Sequence, residues 1–281
     1  MRTRALLLAP LALLLLAGCP ARLAPKPVDA LTTASDVMAL VQARSKAIRS
    51  VSAEARVSVY GDQGARKAKM IIVARRPDSL HFQALAPTDQ MLGILATDGL
   101  SFTSFESGAK VCYVGSACPE NVSRMLPIID MDGADIVELL FGGVPIFSYE
   151  EVEVAWDGER GGYRLDFTAT SPPKVNQQVW VAHGTGDVLG SRAVVGGVER
   201  FVLSFEDFTA HGDARIPHTL NAKIRDGKVD LRIVYRDAEV NGTVRDETFA
   251  IPCPAALEQE RLWCAGETQS APAAEKGAGH E

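Results

Sequence analysis

The sequence predicts a mainly β (α+β) fold, and three observations lead there. Apolar residues alternate with polar ones along most of the chain, glycine-containing turn pairs punctuate that alternation, and one early stretch alone has sustained helical spacing. With 281 residues, 47% of them hydrophobic, the chain can bury a sizeable core. Its 35 acids against 29 bases, a net charge of −6, argue against binding to nucleic acid or to an anionic lipid surface.

The first element is an export signal. Arg2 and Arg4 precede residues 5–17, a run of Ala, Leu and one Pro that is too short for the roughly 20 residues a bilayer span needs. Residues 1–18 therefore read as a signal peptide. They end in Leu16-Ala17-Gly18-Cys19, which resembles the lipobox of bacterial lipoproteins. The resemblance implies acylation of Cys19, cleavage before it, and an acidic mature chain held to a membrane by its acyl chains. Pro20, rather than Asp, follows the cysteine, which points to the outer membrane. Residues 19–31, with Pro20, Pro25 and Pro27, read as an extended lipidated tether.

A helix follows. Thr32, Thr33 or Ser35 can cap it, and Val37, Leu40, Val41 and Ile48 recur at helical spacing with Arg44 interrupting the stripe. From Val51 the period becomes two, so residues 51–60 form a half-buried strand with Glu54, Arg56 and Ser58 on its polar face. Residues 67–75, 79–85, 91–97 and 100–106 extend a meander through turns at 61–64, 76–78, 86–90 and Asp98-Gly99. Between 119 and 147 the alternation stops, and residues 121–126 and 134–141 read as short helices, the second capped by Asp132. Strands resume over 152–156, 163–167, 175–182, 188–195, 201–205, 219–224 and 229–235, with turns such as Gly161-Gly162, His183-Gly184, Gly196-Gly197 and Asp226-Gly227. The globular domain spans 32–264, and the small, polar segment 265–281 reads as a disordered tail.

Export to an oxidising compartment makes disulfides of the other four cysteines. Their spacings favour the two short loops, Cys112 with Cys118 and Cys253 with Cys264, over a zinc site, because no CxxC is present. Catalytic patterns are missing as well: the sequence has no GxSxG, HExxH, phosphate-binding loop or GxGxxG. The acidic cluster Asp130, Asp132 and Asp135 lacks the glycine and the bidentate glutamate of a calcium loop, so helix capping accounts for it. The sequence thus reads as a protein without an enzyme activity, metal or cofactor.

Several stretches resemble the LolA/LolB superfamily, in particular LolB-like outer-membrane lipoproteins. They are the lipobox, the helix from Thr33, residues 51–57, Arg76-Pro77-Asp78-Ser79-Leu80, Ala86-Pro87 with the strand after it, and residues 135–142. The resemblance implies an unclosed antiparallel β-barrel of about 11 strands with an N-terminal helix and a short helical lid. It also implies a monomer that takes acyl chains of lipids or lipoproteins into a hydrophobic cavity, as carrier or acceptor in outer-membrane biogenesis. Alternation places Val57, Val59, Met70, Ile72, Leu80 and Phe82 on one face of successive strands. With Leu92, Ile94, Phe102 and the lid residues Ile136 and Leu140 they form the candidate cavity. A second reading stays open at this point: a structural lipoprotein whose barrel is filled and whose rim contacts an envelope protein partner.

Overall fold

A computed structural model describes residues 23–61, 64–125, 131–224 and 228–267. The signal peptide, Cys19, Asp130, the Asp226-Gly227 turn and the tail from 268 lie outside the described residues. Helix α1 (Ala34–Lys46) precedes β1 (Ser50–Gly61), β2 (Gly64–Arg75), β3 (Ser79–Leu85), β4 (Met91–Thr97), β5 (Ser101–Glu106) and β6 (Val111–Ser116). Two short helices come next, α2 (Pro119–Met125) and α3 (Gly133–Leu140). The second half holds β7 (Glu151–Asp157), β8 (Gly162–Ala169), β9 (Val175–Ala182), β10 (Val188–Val195), β11 (Val198–His211), β12 (Ala214–Ile224), β13 (Val229–Val240) and β14 (Glu258–Leu262).

All fourteen strands join one sheet in the order β14-β6-β5-β4-β3-β2-β1-β13-β12-β11-β10-β9-β8-β7. The edge strands β14 and β7 do not pair with each other, so the barrel is unclosed, as expected. The expected count of about eleven strands falls short chiefly because β6 and β14 escape the reading. In β14 only Leu262 is buried, so polar residues hide its alternation. Every ladder is antiparallel except that of β14 on β6.

Register divides the structure into two ends. The turns β7–β8, β9–β10 and β11–β12, the start of β1 and the β2–β3 and β4–β5 turns share one end. The β1–β2 and β3–β4 turns, the β8–β9 connection and the β10–β11 turn share the other. We call these the tether end and the far end.

Helices α1 and α3 fill the concave face. Thr33 caps α1, its hydroxyl accepting from the Asp36 amide at 3.2 Å, and Val37 and Ile48 are fully buried. Asp132 caps α3 by accepting from the Asp135 amide at 2.8 Å, and Ile136, Val137, Leu139 and Leu140 enter the core. The Arg44 that breaks the apolar stripe of α1 is itself buried. Its guanidinium pairs with the equally buried Asp187 at 3.1 Å and donates to the carbonyls of Phe141 and Arg215 at 2.9 and 2.8 Å. Arg215 also donates to Asp187, at 2.8 Å. Gly142 makes room for this junction, since a Cβ there would lie 2.5 Å from Pro217 Cδ, and its φ of 77° suits the residue that ends a helix. A second arginine, Arg76, bonds Ile48 O, Ser45 Oγ and Glu138, tying α1 to α3.

The disulfides correct the pairing expected from spacing: Cys112 joins Cys253, and Cys118 joins Cys264. The reason is geometric. Cys112 lies in β6, and an extended chain rising ~3.3 Å per residue carries Cys118 far from it, whereas bridged Cα atoms lie within roughly 7 Å. β14 runs beside β6 and delivers both partners, with Cα separations of 6.0 and 6.1 Å.

Within the segment read as an extended tether, the described residues from Leu23 lie against the sheet. The Ala24 amide donates to Gly158 O at 2.7 Å, Trp156 Nε1 donates to Ala24 O at 3.0 Å, and the Leu31 amide donates to the Tyr163 hydroxyl at 2.9 Å.

Two expectations follow. Arg44→Met leaves Asp187 buried with only Arg215 as a charged partner and strips two carbonyls of their donor, so denaturant unfolding is expected to show a loss of about 3 kcal/mol. Replacing Cys118 and Cys264 together by Ser opens a loop with a sequence separation of 146, and is expected to cost about 2–4 kcal/mol while the peptide map keeps the Cys112–Cys253 link. A map of the unsubstituted chain that shows Cys112 with Cys118 would sink this pairing.

Candidate functional site

The concave face is packed near the tether end and open near the far end. Ile72, Leu80, Phe102, Ile136, Leu140 and Tyr235 are buried together in one core cluster, and the Tyr235 hydroxyl donates to Leu140 O at 2.9 Å. Along the ladder towards the far end the walls become half-buried at Val59 and Met70.

At that end a cleft of about 540 Å³ opens between the sheet and the chain around α3. Its apolar lining is Met131, Pro145, Phe147, Val198, Phe201 and Ile224, and its polar groups are Asp135, Glu199, Arg200 and Lys228. The volume falls within the ~300–1,000 Å³ range of ligand sites. Register continues the apolar surface beyond the cleft: Phe201 faces Ile224, Ile224 faces Val229, and Leu231 faces Val59 on β1. Phe147 stacks on Phe201 with ring centroids 5.9 Å apart. Its amide is held by Gln177, whose carboxamide also reaches Pro145 O at 2.7 Å, so a fully buried Gln on β9 shapes the cleft wall.

Asp135 sits at this mouth near the start of α3. Half-burial, followed by the nearby Asp132 and Glu138 charges, raises its carboxyl from 3.8 to about 6. Half-buried beside two other acids, the Asp135 carboxyl takes up a proton more readily than an exposed aspartate does.

The candidate residues named from the sequence divide into three groups. Ile72, Leu80, Phe102, Ile136 and Leu140 lie in the packed core, with Val57 and Phe82 almost as buried. Val59 and Met70 lie on the same face where it opens. Leu92 and Ile94 are the correction: Leu95 pairs with Phe82 and joins the core cluster, so the alternation turns Leu92 and Ile94 to the other face, where Leu92 is 48% exposed. Sequence reasoning missed Met131, Phe147, Phe201 and Ile224 as a group. The available signal was that Phe201 and Ile224 flank the turns ending β10 and β12, and loop residues such as Phe147 carry no periodicity. Among the described residues no group of three or more His, Cys, Asp and Glu could hold a metal ion, and no helix is long and apolar enough to cross a membrane.

No protein-family profile and no curated protein matches the chain. Solved structures do. A structure named as an outer membrane lipoprotein-sorting protein domain from Vibrio parahaemolyticus is 13% identical, with a TM-score of 0.53 over 76% of this chain and 94% of that one. A LolA superfamily protein from Nitrosomonas europaea is 13% identical, with a TM-score of 0.52 over 78% and 98%. A DUF1329 family protein from Desulfovibrio piger is 11% identical, with a TM-score of 0.54 over 78% and 98%. The chain has a LolA/LolB-like fold, and at these identities the likeness is one of fold.

The raised Asp135 carboxyl sets a pH dependence. Below about pH 4 it is protonated in both folded and unfolded chains; as pH rises through about 6 the folded chain must ionise a half-buried acid that the unfolded chain ionised earlier. This contribution to stability is therefore present below about pH 4 and lost on going above 6. Asp135→Asn is expected to flatten the unfolding midpoint over that window, and an unchanged profile would remove Asp135 as its source.

Proposed function

We propose that this chain is a lipid-anchored, periplasm-facing lipoprotein of the bacterial outer membrane that binds acyl chains of lipids or lipoproteins and passes or accepts them without catalysis. The observation that carries the reading is the unfilled apolar cleft at the far end, lined by Met131, Phe147, Phe201 and Ile224. An acyl chain needs no chemistry from its host, only apolar wall in place of water, and each buried CH₂ contributes about 0.8 kcal/mol. The polar rim of Asp135, Glu199, Arg200 and Lys228 suits a ligand with an apolar tail and a polar head. Two further supports are the lipobox-like Leu16-Ala17-Gly18-Cys19 and the fold shared with structures named for lipoprotein sorting.

The packed tether end bears on how this is tested. A charge at Ile72, which is 1% exposed, reports folding rather than binding. Phe147 is half-buried on the cleft wall, and Phe147→Asp puts a carboxylate against the ligand while taking one ring from the edge of the core at Phe201. The soluble chain begun after Cys19 is expected to bind a fluorescent fatty-acyl probe saturably, and Phe147→Asp to weaken it about tenfold in protein that still unfolds in one cooperative step at a lower midpoint. A folded wild-type chain with no saturable binding moves the reading to the scaffold lipoprotein.

A further inference from the structure

The tether places the molecule relative to its membrane. Ala24 is pinned on both its backbone groups, to Gly158 in the β7–β8 turn and to Trp156. The contact is close, since a Cβ on Gly158 would lie 3.1 Å from Ala24 O. From Cys19 to Ala24 the chain advances five residues, a reach of at most ~18 Å at about 3.6 Å each. The sheet is much longer than that: β12 alone, with 11 residues at about 3.3 Å per residue, measures roughly 36 Å from the tether end to the far end. An anchor at Cys19 therefore keeps the tether end within about 18 Å of a bilayer while Ala24 stays docked, and sets no such limit on the far end.

The surface at the tether end agrees. All three tryptophans of the chain lie there: Trp156 in β7, Trp180 near the end of β9, and Trp263 just after β14. None is fully buried, Trp180 Nε1 bonds Asp157 of the β7–β8 turn at 2.9 Å, and Arg160 and Arg261 stack on Trp180 and Trp263. Tryptophan, with an apolar ring and one N–H donor, favours the boundary between lipid and water. The segment beside the turn adds two bare apolar side chains, Leu23 at 61% and Val28 at full exposure. Nearby charges are mixed, with Lys26 and Arg160 against Asp29, Asp157 and Glu159, so attraction to lipid charge does not drive the contact.

We infer that the tether end, with the β7–β8 turn and the three tryptophans, lies against the bilayer that holds the anchor, and that the cleft opens away from that bilayer into the aqueous space. The inference rests on lipidation at Cys19. On this geometry the cleft exchanges its ligand with a partner on the aqueous side before its own membrane.

The test uses the mature chain on phosphatidylcholine vesicles whose headgroups carry a nitroxide quencher. Native tryptophan emission reads the tether end, and a bimane label on Lys174→Cys, in the β8–β9 connection, reads the far end. Tryptophan emission is expected to fall about twofold, as for rings at an interface, while the bimane is unaffected. Bimane quenched as strongly as tryptophan, or unquenched tryptophan, overturns the orientation. Intact mass reads acylation separately. If Cys19 proves unmodified the lipidation reading fails, and the wild-type chain, its other cysteines paired, is coupled through that thiol to a maleimide lipid. Tryptophan quenching then supports the orientation and its absence overturns it.

Discussion

The buried pair of Arg44 and Asp187 is the constraint on which the rest of the structure depends. A sheet of fourteen strands that never closes leaves a concave face in need of cover, and two short helices provide it only if they are held in place. Arg44 holds them. From α1 it reaches the turn between β9 and β10 through Asp187, the end of α3 through Phe141 O, and β12 through Arg215 O. Taking a guanidinium and a carboxylate out of water costs several kcal/mol per ion, and the cost is offset here because both groups have most of their hydrogen bonds satisfied. An apolar side chain at position 44 could fill the volume, yet it would specify neither the register of α1 nor the position at which α3 ends.

That placement also explains why the cleft lies where it does. Arg44 and Arg76 pin the C-terminal halves of α1 and α3 towards the tether end, where Ile72, Leu80, Phe102 and Tyr235 pack beneath them. The strands β11, β12 and β13 continue past this cover to the far end, so Phe201 and Ile224 keep an unfilled neighbour. At the open edge of the sheet a different device is needed, because β14 has one buried residue with which to hold itself to β6. Covalent links on both sides of β14 supply what packing does not, and Gly115 of β6 admits the strand, since a Cβ there would lie 2.3 Å from Leu262 O.

Alternation made most strands legible, because a half-buried strand must repeat every two residues whatever its partners. Helix caps were legible for a similar local reason: Thr33 and Asp132 satisfy amides within three residues of themselves. What depended on distant chain was not legible. Arg44 looked like an interruption of an apolar stripe, since its partner Asp187 is 143 residues away. Pairing of the cysteines followed the position of β14, which sequence periodicity does not reveal. The face of Leu92 and Ile94 is hidden for the same reason: the run 91–95 is apolar on both sides and offers no phase, and only the pairing of Leu95 with Phe82 settles it.

The same distinction between local and distant information bears on the cleft itself. Its lining comes from four separate stretches, the approach to α3 with its first turn, the loop before β7, the start of β11, and the end of β12 with Lys228 before β13. Such a site is cheap to vary, since each segment is anchored elsewhere: Phe147 by Gln177, α3 by Arg44 and Arg76, and β11 by a ten-pair ladder with β12. The scaffold can thus stay rigid while the lining varies. What this chain shares with solved structures at 11–13% identity is accordingly the fold.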